Sequence, residues 1–215
     1  MAHIHLPDGS FTLFWALVWW ICALALIGVA LVWARRRRSG TREITVAAFV
    51  TAASFAVFQV EIPLFGGVHL NLTPLIGILA GPVLGSLIVF IVNILSAATG
   101  HGGWGLIGAN VLVNSSEVMT AWLLFRALGR VTPGLFTRAG IATFGGLFSG
   151  NIAMVAIILV SGIQGVTQSS VQILAGLSLL VAVNMGVAVV EAFVTGFIVE
   201  YIGKVKPDLL EGGRP

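Results

Sequence analysis

The chain predicts an all-α integral membrane protein, a single bundle of about seven transmembrane helices with the amino terminus outside and the carboxyl terminus cytoplasmic. Two observations carry that prediction. Hydrophobic residues make up 58% of the 215 and charged residues only 9%, with a mean hydropathy of +1.05, far from the balance of soluble domains. The 11 lysines and arginines fall into three groups separated by apolar stretches, as in chains whose basic loops remain on the cytoplasmic side. Residues 1–215 read as one transmembrane domain, because the length accommodates roughly six or seven spans and leaves nothing for a second, soluble unit. The net charge of +3 then marks a membrane face rather than a nucleic-acid partner; the lipid bilayer is the expected surroundings, and the location a multi-pass protein of the cytoplasmic membrane.

Residues 12–34 form the first span, with tryptophans near its ends as interfacial anchors, and Arg35 to Arg38 stop it. That cluster and Arg42 stay inside, which puts residues 1–11 outside. No basic region precedes the apolar run, so the start does not read as a cleavable signal peptide. The second span, 43–60, returns outward and delivers the loop 61–72, EIPLFGGVHLNL, to the outer face.

The stretch from Thr73 to Thr99 contains Gly81-Pro82, a pair that breaks a helix. A single crossing there would push Arg126, Arg130 and Arg138 outside. Two crossings, a short helix to about Ala80 and a second to about Ala98, keep them inside; the short one needs neighbours to bury it. Spans over 105–128, 139–161 and 171–203 complete the bundle. In this register all 11 basic residues are inside, and His3, His5, His69 and His101 all fall on outer loops or span ends.

An amino terminus beside a histidine offers an amine, deprotonated backbone amides and an imidazole in one plane, which suits Ni(II) and Cu(II). Cys22 is the single cysteine and sits in the first span, so a disulfide within the chain and a cysteine metal cluster are both excluded, and any metal site must use nitrogen and oxygen. If Met1 stays, Met1-Ala2-His3 supplies the chelate; if it is removed, the amine of Ala2 and the amide and imidazole of His3 do, with one further ligand. His69 is the first candidate for that ligand, because Gly66 and Gly67 free its loop to approach closely; His5 and His101 compete. Histidines at a membrane surface also serve as plain interfacial polar residues.

Pro7-Asp8-Gly9 suggests a turn that folds the terminus over the bundle, with Asp8 alternatively holding an imidazole in its tautomer. Among the asparagines expected to join helices, Asn110 and Asn114 are candidates to support the outer site. Glu117 and Glu191 carry the functional expectation attached to buried intramembrane carboxylates, against the plainer one of an interhelical pair with asparagine or serine. Ala48, Ala52 and Ala56 line one face of the second span, suited either to packing within the bundle or to docking a second membrane protein.

The runs HLPDGSF, GGVHLNLTPLIGILAGP and GHGGWGLIGANVLVN resemble, in order and over nearly the whole chain, blocks of the membrane-embedded substrate-capture subunits of nickel and cobalt importers of the energy-coupling-factor type, the cobalt and nickel permease M subunits. The resemblance implies a metal held by the terminal amine, the amide and imidazole of a nearby histidine, and His69 as the loop ligand. The family pattern begins Met-His-Ile-Pro-Asp-Gly. Counting from the terminus makes His3 the equivalent once Met1 is removed, whereas counting from Pro7-Asp8-Gly9 makes it His5; chelation by the amine depends on distance from the terminus, which favours His3. It further implies that Ni2+ or Co2+ is bound as transported substrate, with no permanent cofactor. The expected partners are a transmembrane coupling subunit, docking on the alanine face, and cytoplasmic ATPases, often with a small accessory membrane protein. The chain itself contains no G-x-x-x-x-G-K-[ST] and cannot hydrolyse ATP through such a loop, so it reads as a transporter subunit and not an enzyme. An intramembrane metalloenzyme would need a motif such as H-E-x-x-H, which does not occur. A self-sufficient metal channel or secondary transporter is the other competing class, supported only by the Gly81-Pro82 break and the two glutamates.

Overall fold

In the computed structural model the described residues are 8–37, 40–58, 61–62, 68–70, 72–100, 102–165 and 169–211, without the side chains of 41–43, 61, 62, 68, 69, 170 and 211. The elements are α1 (Leu13–Arg37), α2 (Thr41–Phe58), β1 (Glu61–Ile62), β2 (Val68–His69), α3 (Thr73–Ala98), α4 (Ile107–Leu128), α5 (Leu135–Ser161), α6 (Ser170–Val205) and α7 (Asp208–Glu211), with a single 3-10 turn, Trp104–Leu106, ahead of α4. Among the described residues, four helices are long and apolar enough to cross a membrane: Leu13–Arg37, Thr73–Ala98, Leu135–Ser161 and Val171–Val205. This is a membrane protein of helical architecture.

Several boundaries differ from the expected spans for identifiable reasons. Helix α1 continues through Arg35, Arg36 and Arg37, since cations are favourable at a helix C-terminus. Helix α5 begins at Leu135, four residues early, and α6 runs to Val205: apolarity marks where a span can lie, whereas helices extend into the polar flanks. The loop after α2 contains two short antiparallel strands, with Glu61 opposite His69 and Ile62 opposite Val68.

Helix α3 is two arms. Gly81 has φ 73° and ψ 179°, a conformation open to glycine but costly for residues with a Cβ, and Pro82 follows. The arms fold back on each other: Gly77 and Gly85 both lie against Val118, and a Cβ on Gly85 would stand 3.5 Å from Cγ2 of Ile76, whereas nine residues of straight helix separate their ends by ~13 Å. The first arm, 73–80, is as short as expected and is enclosed by its neighbours, with Leu72 to Ile78 all buried. Val50 of α2, Ile76 of the first arm, Ile88, Val89 and Val92 of the second, and Val118 of α4 form one core cluster. Ala23 and Ile27 of α1 join Ala97, Ile107 and Val111 in another.

Apolar side chains that are unburied, including Phe14 and Ile21 on α1, Phe49 on α2 and Phe193 and Phe197 on α6, present a greasy exterior of the kind a bilayer covers. Between α5 and α6, Asn184 donates to Asn151 Oδ1 at 3.0 Å, the interhelical bond expected of intramembrane asparagine.

Candidate metal-binding end of the bundle

One end of the bundle is built from residues 8–11, the segment 102–106 and the end of α5 with residues 162–165. The Asp8 carboxylate accepts from Trp104 N at 3.1 Å and from Gly105 N at 3.0 Å, tying the amino-terminal segment to the backbone just ahead of α4. These are donors that a helix start leaves free, and an anion belongs there. Gly103 is required beside them, because a Cβ at that position would run into the Asp8 carboxylate. Gly9 turns the chain at φ 86°, Gln164 N donates to Ser10 O at 2.7 Å, and Ser10 and Phe11 are buried. Two indoles close the seam: Trp20 Nε1 donates to Trp104 O at 3.0 Å and Trp19 Nε1 to Ser161 Oγ at 2.8 Å.

The expected turn at Asp8 is therefore present, and it fastens the segment that follows the amino-terminal histidines to the segment that follows His101. Ala2, His3, His5 and His101 themselves lie outside the described residues. His69 is placed by its backbone in β2, with its side chain outside them. The described role of Asp8 is to hold backbone N–H groups. Asn110 and Asn114 lie one turn apart in α4, both buried, Asn110 one turn beyond the segment that Asp8 holds. Among the described residues, no group of three histidine, cysteine, aspartate or glutamate side chains is placed to hold a metal.

The opposite end carries the charge. Arg138 Nε donates to Phe125 O with its guanidinium 3.8 Å from the Phe125 ring centre, Arg126 lies 5.0 Å over Trp122, and Leu210 packs with Leu135 and Val199. Ala48, Ala52 and Ala56 are exposed on α2, so packing inside this chain does not consume them.

Sequence reasoning missed how the two buried glutamates are used. Glu191 Oε1 accepts from Leu72 N at 2.7 Å, and Glu117 Oε2 accepts from the Thr73 hydroxyl. Both act at the start of α3, beside the middle of α4 and not at an end of the bundle, so the expected outer loop 61–72 finishes within the bundle. No local signal announces this, since both donors are 44 or more residues away in sequence.

The described residues thus form a helical membrane protein with an anchored segment, residues 8–11, at one end of the bundle and Arg126 and Arg138 at the other. Residues 5–209 match the family described as CbiM, cobalt uptake substrate-specific transmembrane region, and the chain belongs to that family. Among its relatives, the putative cobalt transport protein CbiM 1 of Methanocorpusculum labreanum is 26% identical, over 97% of this chain and 92% of that protein. The putative fused nickel transport protein NikMN of Archaeoglobus fulgidus is 27% identical over 97% of this chain and 68% of that protein. The crystal structure of a truncated transition metal transporter superposes with a TM-score of 0.76 at 17% identity, covering 94% of this chain and 99% of that one, which establishes the shared fold.

Proposed function

We propose that this chain is the substrate-capture transmembrane subunit of an energy-coupling-factor importer for Ni2+ or Co2+ in the cytoplasmic membrane, crossing it seven times with the amino terminus outside. The observation that carries the reading is the seam at Asp8: it fastens the start of the chain beside the segment following His101, at the end of the bundle opposite Arg126 and Arg138. Family membership supports the metal class, and the names of the relatives include both cobalt and nickel.

In this reading the amine and amide of the terminus, the imidazole of His3 or His5, and His69 form a planar nitrogen site, with His101 as the competing ligand. Such a site suits Ni(II) and also accepts Co(II). Asp8 orients the strap, and Asn110 and Asn114 support the helix beneath it. Energy comes from partner subunits: a transmembrane coupling protein docking on Ala48, Ala52 and Ala56, cytoplasmic ATPases, and in some assemblies a small accessory membrane protein.

Nickel and cobalt titration of the purified chain tests the proposal. One ion per chain, lost in His69→Ala and in only one of His3→Ala and His5→Ala, is the expected result and identifies the amino-terminal ligand. Retention of the ion by all three variants contradicts it. Metal flux through liposomes containing this chain alone would instead favour a self-sufficient channel or secondary transporter.

A further inference from the structure

We infer that Glu191 and Glu117 are positioning residues for metal capture: they fix the start of α3 and, through it, the strand that carries His69. The inference rests on the capture reading above and deepens it.

Leu72 ends the segment that contains His69 and begins α3. It adopts φ 51° and ψ 17°, with no side-chain cap of its own, a left-handed conformation that residues other than glycine and asparagine avoid. Such a conformation persists only where the surroundings hold it. The bond from Leu72 N to Glu191 Oε1 at 2.7 Å is that hold. The next residue, Thr73, donates its hydroxyl to Glu117 Oε2, and Pro74 follows near the first turn of the helix, where its missing N–H is no loss. Two carboxylates from two helices thus grip consecutive residues.

Three residues of chain reach at most ~10 Å, so the position of Leu72 confines the His69 backbone. Both glutamates are completely buried. Buried acidic groups are expensive, and apolar side chains of similar volume commonly stabilise as well or better. Retaining two of them at this point matches a need for a fixed geometry rather than for stability alone. A helix beginning inside a bundle leaves N–H groups with no water to receive them. Carboxylates from α4 and α6 receive one amide and the adjacent hydroxyl, and so tie the loop to helices that enclose the rest of the core.

The test is nickel titration of the full chain in detergent, on monodisperse protein, with the thermal unfolding of the metal-free form measured alongside. Glu191→Met should weaken nickel binding 10–100-fold, the range for groups that orient a ligand, while Glu191→Gln, which keeps an acceptor, should stay close to the parent. If Glu191→Met does not fold, Thr73→Val and Thr73→Ser replace it, the first weakening binding and the second restoring it. Folded Glu191→Met or Thr73→Val protein that binds nickel like the parent overturns the positioning role and leaves the capture reading standing, provided that His69→Ala still loses the ion. Parent-like binding by His69→Ala overturns the positioning role, and if His3→Ala and His5→Ala also bind like the parent the capture reading falls with it.

Discussion

Asp8 and Glu191 do the same chemistry in opposite surroundings. Each is a carboxylate that receives backbone N–H groups where a helix is about to begin, Asp8 ahead of α4 and Glu191 ahead of α3. Asp8 is exposed, whereas Glu191 is completely buried. At the exposed end water competes for both partners, so the bonds contribute mainly to where the strap lies. In the interior no water can replace the carboxylate, and its removal strands a donor. An exposed tie of this kind is easily remade, whereas a buried one holds its partners in place.

The comparison predicts a graded set of effects. The largest is Glu191→Met, which leaves Leu72 N–H without its acceptor and should cost about 2 kcal/mol in denaturant unfolding, within the range for an unsatisfied buried group; no loss would mean that the buried carboxylate is replaceable. Next is Thr73→Val, which removes the hydroxyl from Glu117 at nearly constant volume and should cost on the order of 1 kcal/mol, reverting with Thr73→Ser. Asp8→Ala should lower global stability by about 0.5 kcal/mol, because the lost bonds are exposed, yet accelerate amide hydrogen exchange at Trp104 and Gly105 by opening the strap locally. Gly103→Ala should reproduce that exchange pattern, since its Cβ occupies the carboxylate's place; slow exchange in Gly103→Ala would break the comparison. The smallest effect belongs to Glu200→Ala, which removes the exposed pair with Lys204 at 2.8 Å and should change stability by less than ~0.5 kcal/mol.

What could be read in the sequence follows from how local each feature is. Apolar runs and arginine clusters disclose the helices, and Gly81-Pro82 discloses the fold-back of α3, because backbone chemistry acts within a few residues. Asp8 is legible as a turn residue for the same reason. Its partners Trp104 and Gly105 are not, lying 96 and 97 residues away. Glu117 and Glu191 announce themselves as buried acids in an apolar chain, but their partners depend on how α4 and α6 pack around the first arm of α3. The strands β1 and β2 are not legible, since two residues each are too few for an alternating pattern to show. The left-handed Leu72 has no sequence signature: glycine or asparagine would mark such a position, and here a distant carboxylate holds leucine in it.

The central claim is that the amino terminus itself captures the metal ion, and it meets its most direct test in nickel titration of the chain with a free native terminus beside one whose terminal amine is acetylated. The account predicts one ion bound by the first and loss of that ion by the second, since acetylation removes the amine as a ligand in the chelate plane whichever residue carries it. Equal binding by the two forms would contradict it and leave His69 and His101 as the ligands to pursue.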